Sequence, residues 1–138
     1  MNQRFPKAEH LCSRKLMERL RAEGRRLRVF PYSVQWLAEP SLDVPCQVLV
    51  IAPKRKLHHA VDRNRVKRLT RECYRLRKEP LFQILAAQGR HITLSLVYLH
   101  DSPMTYEQLS HRFDKLMDAL LNDLQHENPV QGTEVVAG

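Results

Sequence analysis

Residues 61–78 read V-D-R-N-R-V-K-R-L-T-R-E-C-Y-R-L-R-K, the stretch of the chain richest in groups that can bind a ligand. At about 100° per residue, Val66, Leu69, Cys73 and Leu76 fall on one stripe of a helix. Asn64, Arg68, Arg71 and Arg75 fall on the opposite stripe, flanked by Arg63, Arg65 and Lys67. The spacing predicts a helix over Val61–Lys78 with one buried edge and one edge of guanidinium groups. Guanidinium stays charged and donates two parallel hydrogen bonds, which suits phosphate. Asn64 adds an amide that both donates and accepts. Asp62 suits the positive end of the helix dipole and can cap it. A merely solvated helix held by i,i+4 ion pairs alternates signs, and this one does not. A basic localisation run needs no two-faced pattern. Crowded like charges repel unless an anion binds, so the expected ligand is a polyanion.

Other candidate chemistry is sparser. Phe30, Tyr32 and Trp36 stand at i, i+2 and i+6 of an expected strand, all on one face. Such a face either stacks unpaired bases or is simply core, and the sequence leaves both open. The fifteen acids form no close pair able to hold two metal ions. His58-His59 is the only adjacent histidine pair, and neighbours in sequence project differently, so RNA contact or plain exposure is preferred to catalysis or metal binding. Cys12, Cys46 and Cys73 are odd in number, far apart and without zinc-ligand spacing, and are read as reduced residues with no chemical role. No catalytic or metal-ligating residue is therefore assigned.

The elements that must position these groups follow from periodicity and punctuation. A helix is expected over residues 8–23, ended by Gly24, and a strand over Leu27–Leu37 with Pro31 at an edge or bulge. A second, almost wholly apolar strand, Gln47–Ala52, is expected to be central. Lys54–His59 is a basic connector, and Pro80 is expected to close the arginine helix. A further helical turn over Leu81–Ala87, a strand over His91–Leu99 and an amphipathic helix over Thr105–Gln125 complete the domain. That order gives an α+β domain with helices packed on one sheet. Residues 1–124 form one domain, and residues 125–138 are expected to be a disordered tail.

The chain has 138 residues and a net charge of +8, unevenly placed. Lys54–Lys78 carries eleven bases against two acids, whereas residues 79–138 carry three bases against eight. Such segregation predicts a polyanion-facing surface. No apolar run approaches the roughly 18 residues of a membrane span. The N-terminus, MNQRFPKAEH, lacks the apolar stretch of a secretory signal, so the expected location is the cytoplasm.

The run Arg63-Asn64-Arg65-Val66-Lys67-Arg68, followed by Arg71-Glu72 and Tyr74-Arg75, resembles the signature of the bacterial ribonuclease P protein family, R-N-R-x-K-R-x-x-R-E-x-(aromatic)-R. The family's preceding Ala-Val is supplied by Ala60-Val61, and every specified position matches. Upstream, the family's Ser-Lys-Lys-x-Gly-x stretch is replaced by Lys54-Arg55-Lys56-Leu57-His58-His59. Both bases survive as Arg55 and Lys56, while Lys54 stands for Ser and His58 for Gly. The phenylalanines frequent in the family's first helix fall at Met17 and Arg21.

The resemblance implies a two-layer α/β sandwich, similar to the second domain of ribosomal protein five of the small subunit, with a left-handed βαβ crossover. It implies that Arg63, Asn64, Arg65, Lys67, Arg68 and Arg71, joined by Arg55, Lys56 and Arg75, face a catalytic RNA. A cleft between the sheet and the first helix would hold the single-stranded 5′ leader of precursor tRNA, with Phe30, Tyr32, Trp36 and Lys54 as its candidate contacts. The RNA would carry the catalysis and bind most of the Mg²⁺, and the protein alone would be inactive, with no oligomer required. One rival is a ribosomal or ribosome-assembly protein using the same basic helix. Another is a free-standing nuclease using His58 or His59. A duplex-DNA reader is disfavoured, because no second helix is placed for helix-turn-helix.

Overall fold

The computed structural model describes residues 4–126 and the backbone of residues 134–136. Three helices pack on a five-stranded sheet. In chain order the elements are α1 (Arg14–Glu23), β1 (Arg25–Val29), β2 (Tyr32–Ala38), β3 (Cys46–Ile51), α2 (Ala60–Gln88), β4 (Ile92–Tyr98), α3 (Tyr106–Gln125) and β5 (Glu134–Val136). The strand order is β3-β4-β2-β1-β5. β1/β2 and β2/β4 are antiparallel, while β3/β4 and β1/β5 are parallel. Adjacent parallel strands need a crossover, and α2 provides it between β3 and β4. The α+β fold expected from the sequence is thus the fold observed. Of the expected disordered tail, residues 125–138, Gln125 instead ends α3, His126 caps it and Glu134–Val136 pair with β1, while the rest lies outside the described residues.

Strand alternation divides the sheet into two faces. Leu27 and Val29, Tyr32, Val34 and Trp36, Cys46 and Val48, and Ile92, Leu94, Leu96 and Tyr98 are buried against α2 and α3. The other face carries Arg26, Arg28, Ser33, Gln35, Leu49, Ile51, Ser95 and Val97, and α1 lies across part of it. Gly24 lets the chain pass from α1 straight into β1. A Cβ there would stand 2.5 Å from the Leu20 carbonyl oxygen, backbone that cannot yield.

Four elements differ from the sequence reading. The helix expected from residue 8 begins at Arg14, where the Ser13 side chain accepts from the Leu16 amide at 3.2 Å. Residues before it are drawn onto β3 instead: the Leu11 amide donates to the Val48 carbonyl at 2.9 Å. The strand expected over Leu27–Leu37 is a hairpin, β1 and β2, turned at Phe30 and a cis-bonded Pro31. β3 is an edge strand rather than a central one. It is apolar on both faces because one meets the core and the other faces α1, and the His10–Val48 bridge covers part of its edge.

α2 does not stop at Pro80 but runs 29 residues to Gln88. An interior proline costs about 3 kcal/mol. Beyond it, Leu81 and Leu85 are fully buried, and each contributes roughly 1.5–3 kcal/mol, so packing outweighs the break. The helix ends at Gly89, whose φ of 63° places it in the left-handed region. The Arg90 amide then bonds the Leu85 carbonyl at 2.9 Å, closing the terminus. At the other end of the domain, Thr105 and Gln108 form a reciprocal capping box on α3.

Candidate nucleic-acid interface

α2 presents its basic row to solvent. Asn64, Arg65 and Arg68 are exposed, and Arg71, Arg75 and Lys67 are half-buried on the flanks. The buried stripe is Val66, Thr70, Cys73, Tyr74, Leu81 and Leu85, with Lys78. It is rotated toward Tyr74 relative to the expected one, so Leu69 is half-buried and Leu76 is 38% exposed. Tyr74 causes the shift, because its ring packs against Phe5 at 5.4 Å between centroids. Thr70 adds a buried hydrogen bond of 2.6 Å with the Tyr32 hydroxyl.

Not every base in the row is equally available. Arg75 grips Glu72 with two hydrogen bonds, of 2.9 and 2.6 Å, which hold the Glu72 carboxyl below its ordinary range. Arg63 turns back from the row: its Nη1 donates to the carbonyls of Leu57 and His58, each at 2.9 Å. It therefore fixes the loop that carries Arg55 and Lys56. No non-glycine residue among those described has positive φ, so His58 sits where the family has Gly without backbone strain. Lys54, His58 and His59 are exposed on this loop.

The N-terminal segment completes one side of the row, a part the sequence reading did not assign. Phe5 and His10 stack at 4.1 Å with 13° between their planes. With Arg68, Arg71, Glu72 and Arg75 they line a recess of about 260 Å³. Lys78 holds the segment there. Its buried ammonium donates to Glu9 at 2.7 Å and to the Arg4 carbonyl, and lies over the Phe82 ring at 5.3 Å. A buried lysine must be paired, and this pairing joins residues 69 positions apart.

The candidate leader aromatics do not share a face. Tyr32 and Trp36 are 1% and 2% exposed on the helix-covered side and have no ring face to offer a base. The Trp36 indole N–H instead donates to Asp123 at 2.7 Å, and Arg25 adds bonds of 3.0 and 2.7 Å to the same carboxylate. Burial alone would raise the Asp123 pKa, but these donors outweigh it and hold the carboxyl below its ordinary value. Phe30 stands apart at the hairpin turn, 48% exposed.

The cleft beside α1 lies on the opposite face of the sheet. It is a groove of about 460 Å³ lined by Met17, Leu20 and Arg21 of α1 and by Gln35, Leu49, Ile51, Ser95 and Val97 of the sheet. Of the two readings that the sequence left open for the face of Tyr32 and Trp36, core is the one observed. The signal was the alternate set: Gln35 and Ser95, polar residues between apolar neighbours, mark the face not covered by α2 and α3. Met17 and Arg21, standing where the family often has phenylalanine, do line this groove.

All three cysteines are free thiols. Burial pushes Cys46 up to about 12 and Cys73 up to about 11, so both stay protonated at neutral pH. Among the described residues no group of three or more His, Cys, Asp and Glu side chains is placed to hold a metal ion.

An α+β sheet with a guanidinium-lined helix at one edge and an open groove on its uncovered face defines a small basic protein of the RNA-binding class. Residues 5–121 match the ribonuclease P family, and the chain belongs to that family. The chain is 36% identical over 102 residues to the ribonuclease P protein component of Chlorobaculum tepidum, a stretch covering 68% of this chain and 66% of the relative, just under two thirds of its length. It is 33% identical over 96 residues to that of Porphyromonas gingivalis, covering 69% of this chain and 70% of the relative. The fold is that of the Staphylococcus aureus ribonuclease P protein, with a TM-score of 0.68 at 17% identity over 83% of this chain and 96% of that one.

Proposed function

We propose that this protein binds the catalytic RNA of ribonuclease P through the exposed face of α2 and holds the 5′ leader of precursor tRNA in the groove beside α1. Family membership supplies the partnership with ribonuclease P RNA and the role in tRNA 5′ maturation. The observation that carries the first contact is the outward row Asn64, Arg65 and Arg68, continued by Arg71 and Arg75. Arg63, turned back from it, holds the loop before α2 that carries Arg55 and Lys56. The groove supports the second contact: an aliphatic floor with an amide, a hydroxyl and Arg21 suits an unpaired strand.

In this reading the RNA carries the catalysis and would hold the Mg²⁺ ions that supply activated water, while the protein neutralises phosphate and grips the leader. The protein alone does not cleave, and no residue of this chain acts as acid, base or metal ligand. The test is cleavage of precursor tRNA by the purified protein, by the RNA, and by both together. Cleavage that needs the RNA and becomes effective at lower Mg²⁺ with protein supports the proposal. Robust cleavage by the protein alone, abolished by His59→Ala, would assign a free-standing nuclease.

A further inference from the structure

We propose that the pocket at the β1–β2 turn binds one unpaired nucleotide of the leader, its base stacked on Phe30 and its phosphate held by Arg55 and Lys56. This rests on the leader lying in the groove beside α1, and it names a subsite beyond that groove. The pocket, of about 430 Å³, is lined by Arg28, Phe30, Pro31, Tyr32, Arg55, Lys56 and Leu99.

Three observations support it. First, Phe30 is the one aromatic among the large exposed apolar residues described, the others being Ile51, Val61 and Leu76. An aromatic ring half in water has an apolar face to cover, and a base covers it without regard to sequence. Second, the ring is held rather than loose. The Arg112 guanidinium lies 5.3 Å from its centroid, and His100 meets it edge-on at 5.3 Å. That arrangement orients the platform and adds positive charge beside it. Third, the pocket continues the groove. Arg28 pairs with Ser33, Ser33 with Val97, and Val97 with Ile51, forming one row across the uncovered face. Val97 and Ile51 line the groove, and Arg28 lines the pocket at the other end of that row. A strand leaving the groove past Val97 and Leu99 meets Phe30 and the two bases of the loop before α2. The cations are thus placed where a phosphate must pass, and the ring where its base must turn.

The experiment measures affinity of the holoenzyme, reconstituted with ribonuclease P RNA, for precursor tRNA with and without its leader. Phe30→Ala should lower affinity for the leader-bearing substrate about tenfold, the effect of losing one base–aromatic stack. Affinity for leader-free tRNA should not change, and Phe30→Trp should restore the leader-bearing value. Ile51→Asp, in the groove itself, serves as the second variant. If Phe30→Ala has no effect while Ile51→Asp weakens leader binding, the turn pocket is refuted and the groove stands. If neither variant discriminates, the groove assignment fails with it. Equal losses for both substrates on Phe30→Ala also overturn the proposal and give the pocket to the catalytic RNA.

Discussion

Arg68 projects from the exposed face of α2, whereas Arg63, five residues earlier, turns back to hold two loop carbonyls. Their substitutions should therefore differ in kind. Arg68→Ala should weaken binding of ribonuclease P RNA and lower the salt slope by about one phosphate contact, read from affinity at several salt concentrations. Arg63→Ala should also loosen residues 57–59, seen as faster amide exchange in the free protein. Trp36 has a third role. Removing a buried indole costs about 3–5 kcal/mol, so Trp36→Ala should unfold at much lower denaturant without selective loss of leader affinity. Its partner Asp123 sets a pH limit. The folded carboxyl titrates below its ordinary value of 3.8, so its contribution is complete above that value and is lost as pH falls through the lowered one. Asp123→Asn should remove that acid-dependent part and, by leaving Arg25 buried without its counter-ion, cost about 3 kcal/mol in a urea titration at neutral pH.

Among elements, the sequence was most readable where one periodicity governed. The face of α2 bearing Asn64, Arg68, Arg71 and Arg75 was legible because helical spacing and charge agreed. α3 was legible from Leu109, Phe113, Leu116, Leu120 and Leu124, all of them buried. Legibility failed where a distant partner decided. Nothing near Leu11 says that its amide pairs with Val48, so a helix was read through an extended segment. Nothing near Pro80 says that Leu81 and Leu85 find a core deep enough to carry the helix past it. The hairpin was missed because Phe30-Pro31 interrupts an alternation that reads as continuous, and the shared parity of Tyr32 and Trp36 could not by itself decide between core and base platform. Two tests belong to α2. Lys78→Met should release the N-terminal segment, raising proteolytic sensitivity around Phe5 and leaving Glu9 without its ammonium. Gly89→Ala meets no atom within 4 Å, so its cost is backbone strain alone, about 1 kcal/mol by thermal unfolding.

Across the whole molecule, the charge segregation in the sequence becomes a division of surface. The bases of residues 54–78 gather on α2 and the loop before it, while α3, on the covered side of the sheet, carries four of the chain's acids. Some of these acids serve the fold: Asp123 pairs with Arg25 and Asp114 with Arg77. No described helix is long and apolar enough to cross a membrane. The buried core fixes the sheet, the sheet fixes the groove, and α2 sets a rigid rod of positive charge at the end where β3 leaves the sheet.

The most direct measurement is the salt dependence of ribonuclease P RNA binding by the native protein and by a variant carrying Arg65→Gln, Arg68→Gln and Arg71→Gln. The slope of log affinity against log salt should fall by about two to three, with the circular dichroism spectrum unchanged. A folded triple variant that binds the RNA with the native slope would contradict the assignment of this helix face.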